Sequence, residues 1–312
     1  MTLLADTRAA AGELALPGTV RRADVAPALL SAWDRLAPGA RHDIWAGTLD
    51  ERAHGTAAPH PVIVIEHAPG SQFAALQAAL RAGTQLPDDL TCVALAGDGF
   101  RGQRGRSWAA VRGNLHVCRL ARVDAQADAV QAALTALPAV ACAVAIERAS
   151  DGAVTPGIKW VNDVLLYGHK VGGVISATQV ASGRVTYALF GIGVNVRTTP
   201  VVERDPRVPP AGSLLELVGA AAPTLRALTV ALLAELDRTI ASLRAGAGSA
   251  VVAEYRARSL TVGRRVAIWP VGEVAPPSAP ERTGTVLAIR DDLGLELGDG
   301  SVVHAGRLTF LD

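Results

Sequence analysis

Cysteine is scarce in this chain of 312 residues: there are three, Cys92, Cys118 and Cys142, and no two of them form a CxxC pair. This spacing disfavours a disulfide framework and a structural zinc site, and it is typical of a protein from a reducing compartment. The first residues lack a signal-peptide pattern, and no segment approaches the uninterrupted apolar length that crosses a bilayer. We therefore expect a soluble, cytoplasmic protein without a membrane partner.

An excess of one charge sign is also missing, because 30 Lys and Arg residues against 29 Asp and Glu residues leave a net charge of +1. Such a chain has no broad attraction for nucleic acid. Residues 1–58 show one helical pattern, at 26–36, instead of two at helix-turn-helix spacing. We expect no nucleic-acid partner, and any anion site must come from a local cluster of basic residues.

The hydrophobic fraction of 50% is large enough for a substantial core. From residue 61, apolar runs alternate with helical patterns, which predicts an α/β (α+β) fold with a mixed β-sheet flanked by helices. Predicted strands cover 62–65, 90–96, 114–120, 158–167, 171–180 and 186–195, and predicted helices cover 72–82, 125–148, 225–244 and 251–258. We expect Pro138 to kink or divide the second of these helices.

Two changes of pattern divide the chain into three parts. Residues 1–58 form an N-terminal extension to which we assign no role, and residues 59–258 form the main α/β domain. In residues 259–312, short apolar strands alternate with Gly, Pro and Asp turns, which predicts a small SH3-like β-barrel. The Pro-rich stretch 275–280 is predicted to be a loop.

A segment rich in glycine and arginine, residues 97–108, follows the second predicted strand. Glycines let backbone N–H groups approach a ligand, and the guanidinium groups of Arg101, Arg104 and Arg106 match phosphate oxygens. The segment fits neither GxxxxGK[ST] nor a GxGxxG that opens a helix, which disfavours a P-loop kinase and a dinucleotide oxidoreductase. Taken alone, such a segment is more often a solvated connector than a phosphate-binding loop.

A second pattern, GIKWVND at 157–163, places polar groups in an apolar strand. On an uninterrupted strand Lys159 and Asp163 face the same side, so they could share a site. A lysine in a pocket stabilises negative charge that develops on a carboxylate or phosphate. The alternative is a strand end, where the lysine reaches solvent while Asn162 and Asp163 form a turn.

Five patterns in order resemble the biotin protein ligases: RGQRGRSW at 101–108, GNL at 113–115, KWVND at 159–163, KVGGV at 170–174 and GIGVN at 191–195. The resemblance runs from about residue 60 to 312 and lacks the DNA-binding N-terminal domain of some members. It implies a class II synthetase-like catalytic domain and a C-terminal SH3-like barrel.

The implied reaction has two steps. Biotin and MgATP form biotinyl-5′-adenylate, and a lysine of a biotin carboxyl carrier domain, part of a biotin-dependent carboxylase, then attacks it. ATP, Mg²⁺ and biotin are the implied cofactors and substrate. Exposed strands of the sheet could pair with the carrier domain, and the same edge could form a homodimer.

By this resemblance Lys159, Arg101 and Arg104 are catalytic, with Lys159 at the biotin carboxyl and the α-phosphate, and Asp163 is a candidate for the magnesium that enters with ATP. Helix capping explains Ser71 as well as a substrate contact does, and a solvated turn explains Lys170 as well as an adenylate contact does. Substrate or adenylate contacts are implied for Ser71, Gln72, Gly102, Gln103, Gly105, Arg106, Trp108, Asn114, Asn162, Asp163, Gly172, Gly173, Gly193 and Asn195.

The chain departs from the family loop, approximately Gln-x-x-Gly-Arg-Gly-Arg-x-x-Arg, at three positions. Gly97 replaces the glutamine, Phe100 the first glycine and Gln103 the second arginine. The missing arginine predicts that the adenylate escapes faster than in ordinary members. Val161, in place of the proline of KWPND, is a milder change. The departures leave open a lipoate or octanoate ligase of the same fold, or a diverged module that binds biotin or its adenylate with weak transfer.

Overall fold

The computed structural model describes residues 1–23, 27–36, 44–49, 60–270 and 279–311. Its larger part is a ten-stranded mixed sheet in the order β2-β3-β1-β4-β5-β6-β10-β9-β8-β7. The strands are β1 Thr2–Ala5, β2 Arg21–Arg22, β3 Trp45–Thr48, β4 Val62–Ile65, β5 Asp89–Ala94, β6 Leu115–Gln126, β7 Gly157–Lys159, β8 Asp163–Leu166, β9 His169–Ala181 and β10 Arg184–Val194. β4 pairs in parallel with β1 and β5, and the other pairs are antiparallel.

The apolar run of β4 reflects a strand that is buried on both faces. Val62 and Val64 belong to one hydrophobic core, and Ile63 and Ile65 belong to a second core on the other face. Successive side chains of a strand point to opposite faces, so a strand between two cores is apolar at every position. The mixed sheet with helices on both faces confirms the predicted fold class.

Seven α-helices surround the sheet in the described residues: α1 Arg8–Leu14, α2 Pro27–Leu36, α3 Gln72–Arg81, α4 Ala127–Ala149, α5 Leu214–Val218, α6 Leu225–Arg244 and α7 Gly248–Ala257. α4 packs against β9 and β10 and against α6 and α7. Of the two predicted effects of Pro138, a kink or a division, the division does not occur, because Pro138 lies inside α4, which continues as one helix.

α4 is also long and apolar enough to cross a membrane, which contradicts the expectation that no segment has that property. Most of its apolar window is buried inside the protein. A helix that is apolar on all sides is required wherever both a sheet and other helices cover it. The place of α4 in the core therefore accounts for its composition.

The predicted strand at 158–167 is wrong, because the chain turns back at residues 160–162 and forms the antiparallel pair β7 and β8. The short strands β1, β2 and β3, which come from the N-terminal extension, join the sheet beside β4. The N-terminal segment is thus continuous with the main sheet. The strand predictions at 62–65, 90–96, 114–120, 171–180 and 186–195 are confirmed within a few residues, apart from a six-residue extension of β6.

The C-terminal part is a five-stranded antiparallel sheet in the order β14-β13-β12-β11-β15, with β11 Arg265–Trp269, β12 Arg282–Ile289, β13 Leu295–Leu297, β14 Val302–Val303 and β15 Arg307–Phe310. Most of the predicted loop at 275–280 lies outside the described residues. Trp160 joins the two sheets: its indole Nε1 donates to the Leu293 carbonyl at 2.8 Å, and its backbone N–H donates to Thr261 Oγ1 at 3.1 Å.

β7 ends the large sheet, but its outer edge is covered. The Ile158 N–H donates to the Arg258 carbonyl at 2.8 Å, and the Ile158 carbonyl accepts from the Leu260 N–H at 2.9 Å. A second chain can add a strand only where such groups are unpaired. At Ile158 the geometry therefore disfavours strand addition by a carrier domain or a second copy.

Candidate active site

A cavity of about 590 Å³ opens beside the start of α3 and the strands β6, β9 and β10. The Gly/Arg loop, residues 97–108, and the segment 200–211 close its other sides. Of the residues predicted for the site, the following line this cavity: Ser71, Gln72, Arg101, Gly102, Gln103, Arg106, Trp108, Asn162, Gly173, Gly193 and Asn195. The fold thus brings together positions that are more than 120 residues apart in the chain.

The Gly/Arg loop is folded on itself. The Gly102 N–H donates to the Arg106 carbonyl at 2.7 Å, and Arg101 Nη1 donates to the Gly105 carbonyl at 3.2 Å. Arg104 has a φ of 61°, in the left-handed region, and its side chain is exposed. The arginine side chains are therefore held around a compact turn and keep donors available for an anion.

Gly97 and Phe100, two of the departures from the family loop, fit each other. A Cβ on Gly97 would lie 2.5 Å from Phe100 Cε2 and 2.7 Å from the Ala68 carbonyl oxygen. No side chain fits at position 97 while the Phe100 ring is there. Gly97 therefore suits a packing in which both the Ala68 carbonyl and the Phe100 ring come close to its Cα, and Phe100 forms an aromatic wall of the cavity.

Lys159 and Asp163 face each other across the β7–β8 hairpin, where they are register partners. Lys159 Nζ lies 3.8 Å from Asp163 Oδ2, and Lys170 Nζ lies 2.5 Å from Asp163 Oδ1. Both Lys159 and Asp163 are buried. Burial lowers the pKa of Lys159, and Asp163 opposes this shift; the pKa of Asp163 is lowered by the two lysines against the effect of its own burial.

These two lysines are the only lysines of the sequence, which otherwise uses arginine for its basic residues. A lysine ammonium is a compact point charge with three rotatable donors, whereas a guanidinium is a planar fork. Both lysines lie at one carboxylate. This placement indicates a site that requires a point charge.

A small crevice next to the cavity gathers the basic groups. Lys159, Arg104, Arg106 and Arg307 line it together with Asp163. Arg307 comes from β15 and donates to Asp205 Oδ2 at 2.6 Å. Burial and the neighbouring arginines lower the pKa of Arg104, while for Arg106 burial dominates and Asp163 opposes it. Like charges gathered this closely favour a multiply charged anion such as a nucleotide phosphate.

Trp108 covers two of the glycines that line the cavity, Gly173 and Gly193. A Cβ on Gly173 would lie 2.9 Å from the indole Cζ3, and a Cβ on Gly193 would overlap the indole ring. Lys170 Nζ lies 5.7 Å from the centre of the same ring, and the indole Nε1 donates to His116 Nδ1 at 3.2 Å. The glycines therefore allow the indole to lie close to the backbone.

Three predicted residues, Gly105, Asn114 and Gly172, line neither the cavity nor the crevice, although the resemblance implies substrate or adenylate contacts for them. Because neighbours on a strand face opposite sides, Gly172 points to the core, and its Cβ would lie 3.3 Å from Cys142 Sγ. Asn114 is buried; its Oδ1 accepts from the N–H groups of Val196 at 2.9 Å and Thr198 at 3.1 Å, and its Nδ2 donates to the Thr198 carbonyl at 2.8 Å. Asn114 therefore holds the chain after β10.

Three other predicted residues line the cavity and also form hydrogen bonds with the backbone. Ser71 caps α3, accepting from the Ala74 N–H at 3.4 Å, and it also lines the cavity. Asn162 and Asn195 line the cavity while their amides donate to the carbonyls of Val174 at 2.9 Å and Gly212 at 3.0 Å. Gln72 Nε2 is buried without a hydrogen-bond partner.

Asp163 is not suited to bind magnesium directly, because each of its carboxylate oxygens already faces a lysine. No group of three or more His, Cys, Asp or Glu side chains suited to a metal occurs within the described residues. The site therefore offers donors for phosphate and no protein cage for a cation.

His116 and Arg307 lie at the site but did not stand out in the sequence. His116 is an isolated histidine on an apolar strand, and Arg307 follows the large domain by about 50 residues. Lys170, interpreted as either a turn residue or an adenylate contact, lies at Asp163 and lines the cavity. Only the tertiary fold brings these three together, although the rarity of lysine would have marked Lys170.

Comparison with known proteins shows similarity in both sequence and fold. A model of the "Biotin/lipoate A/B protein ligase family" matches residues 77–195. A biotin--[acetyl-CoA-carboxylase] ligase from Mycobacterium tuberculosis is 35% identical over 252 residues, which cover 78% of this chain and 86% of that protein.

Among solved structures, a biotin protein ligase from Aquifex aeolicus in complex with biotin and ATP is similar with a TM-score of 0.61 and 18% identity, over 80% of this chain and 97% of that chain. A biotin protein ligase from Leishmania major in complex with biotinyl-5-AMP gives a TM-score of 0.51 at 17% identity, over 82% and 100%. These two structural similarities show a shared fold. The identity to the mycobacterial protein over most of both chains shows that this chain belongs to the biotin/lipoate A/B protein ligase family.

Proposed function

We propose that this chain is a cytoplasmic biotin protein ligase, which converts biotin and MgATP to biotinyl-5′-adenylate and transfers the biotinyl group to a lysine of a biotin carboxyl carrier domain. The observation that carries the proposal is the pair of lysines at Asp163 beside the Gly/Arg loop. The name of the mycobacterial relative and the biotin and ATP complexes of the Aquifex protein support the choice of substrates. Three buried free cysteines agree with a reducing compartment.

In the first step, a biotin carboxylate oxygen attacks the α-phosphorus of ATP and pyrophosphate leaves. Lys159 holds a buried positive charge where negative charge grows on the phosphate, and such preorganised charge is most effective when water is excluded. Lys170 lies closer to Asp163 than Lys159 does. Lys170 therefore compensates the carboxylate and leaves the donors of Lys159 for the substrates.

The second step needs a retained adenylate and an approaching amine. Arg101, Arg104 and Arg106 hold the phosphate of the adenylate, and Trp108 covers its adenine side. The carrier lysine attacks the acyl carbon, so AMP leaves with the bonding electrons of the anhydride. Magnesium enters with ATP.

A lysine-to-arginine exchange tests the proposal while it keeps the charge. Biotin-dependent exchange of labelled pyrophosphate into ATP should fall by about 10²–10³-fold in Lys159→Arg, as for loss of one transition-state donor. The matched variant Lys170→Arg keeps a cation near Asp163. Its rate of biotin-dependent exchange should fall by a smaller factor than that of Lys159→Arg. Absence of biotin-dependent exchange in the wild-type protein would refute the proposed ligase.

The same assay separates the other candidate functions. Exchange that depends on lipoate or octanoate instead of biotin would identify a ligase for those acids. Normal biotin exchange without labelling of a purified carrier domain would identify a binding module with weak transfer. These two alternatives arise from the departures from the family loop at Gly97, Phe100 and Gln103.

A further inference from the structure

Two nitrogen atoms at the cavity wall are buried without hydrogen-bond partners: His116 Nε2 and Gln72 Nε2. Both residues line the cavity, and both are nearly inaccessible to solvent, at 3% and 2% exposure. A buried donor without a partner costs about 1–3 kcal/mol, so native proteins rarely keep two in one place unless a ligand or water satisfies them.

The tautomer of His116 follows from its neighbour. The indole Nε1 of Trp108 is a donor only, and it points to His116 Nδ1 at 3.2 Å. His116 Nδ1 must therefore accept. Burial lowers the pKa of His116 to about 4, with partial opposition from the Val111 carbonyl, so the ring is neutral near pH 7. A neutral ring that accepts at Nδ1 carries its proton on Nε2.

Two rings of the Gly/Arg loop hold His116 in place. The Phe100 ring centre lies 5.7 Å from that of the imidazole, and the Trp108 ring lies edge-on at 6.5 Å. Phe100 also lines the cavity. The loop therefore fixes the orientation of the imidazole and encloses it with aromatic carbon.

We propose that His116 is a specificity residue, which donates its Nε2–H to the carbonyl oxygen in the head group of the acid, with the Gln72 amide as the second donor. This inference deepens the proposed function and rests on it. A cyclic urea carbonyl accepts two hydrogen bonds and its flat ring suits an aromatic wall, whereas an aliphatic acid would leave both donors unsatisfied.

The experiment compares two ligands on two variants by calorimetry at pH 7. Biotin presents a carbonyl oxygen, whereas 2-iminobiotin presents a protonated cyclic guanidine with donors only. His116→Phe keeps an aromatic ring, and His116→Gln keeps an N–H donor. The exposed His304, outside the cavity, provides the control His304→Phe.

We expect His116→Phe to weaken biotin binding about three- to tenfold, which is the range for loss of one neutral hydrogen bond. Binding of 2-iminobiotin should change less than twofold, and His116→Gln should recover most of the biotin affinity. Equal losses for both ligands, or no loss for biotin, would overturn the role of His116 and leave the ligase function intact. A wild-type protein that binds no biotin would refute both.

Discussion

The buried imidazole of His116 should make the stability of the fold depend on pH. Its pKa of about 4 in the folded protein compares with an ordinary value of 6.5. Between these values the unfolded chain binds a proton that the folded protein does not bind, so acidification favours unfolding. The corresponding stability is fully present above about pH 6.5 and is lost as the pH falls towards 4.

The expected size follows from the same two values. Each pKa unit corresponds to about 1.4 kcal/mol, so the contribution of His116 amounts to about 3 kcal/mol, most of it lost by about pH 4.5. His60 adds to the effect, because burial and then Arg119 lower its pKa to about 3. A substitution at position 116 removes one contribution and leaves the other.

Urea unfolding between about pH 7.5 and 4.5 measures this effect in the wild-type protein and in His116→Phe. The free energy of unfolding of the wild type should fall by about 2–3 kcal/mol more than that of the variant. Only the difference between the pH dependences matters, whatever stability the variant has at neutral pH. Parallel curves would refute a neutral, buried His116. His304→Phe, at an exposed position outside the cavity, is the matched substitution for comparison.

Three other substitutions have defined outcomes. Gly193→Ala should displace the Trp108 ring, which its Cβ would overlap, and should weaken adenylate binding; tryptophan fluorescence and calorimetry would detect both changes, and an unchanged emission spectrum would count against the packing. Asn114→Ala leaves two backbone N–H groups without their acceptor and should cost about 2–4 kcal/mol in urea unfolding, with a cost below about 1 kcal/mol excluding that role. Gln103→Arg should slow release of biotinyl-5′-adenylate, measured by rapid filtration, and an equal or faster release would contradict the prediction that Gln103 makes the adenylate leak.

The parts of the fold with strong patterns were predictable from the sequence. The apolar run of β4 and the helical period of α6 coincide with the observed elements at Val62–Ile65 and Leu225–Arg244. The short strands β1, β2 and β3 have two to four residues each, too few for a recognisable pattern. They form because neighbouring strands supply hydrogen-bond partners, which local propensity does not encode.

The candidate site was predictable in its residue types but not in its geometry. Lys159 and Asp163 do lie together, but across a hairpin instead of along one strand. Gly172 and Gly173 are equivalent in the sequence pattern, yet the pleat directs them to the core and to the cavity respectively. Which of two adjacent residues faces a ligand depends on the register with the neighbouring strand.

The placement of both lysines inside the site has a consequence for the surface of the enzyme. An acyl-adenylate is an electrophile that acylates free amines, and arginine does not react in this way at neutral pH. Lys159 is buried and the amine of Lys170 is paired with Asp163. If the adenylate escapes past Gln103 as predicted, it therefore finds no lysine of this sequence on the outside of the fold. Under the proposed function, we expect the described fold to accumulate little label on its own lysines while lysine-bearing proteins nearby become biotinylated.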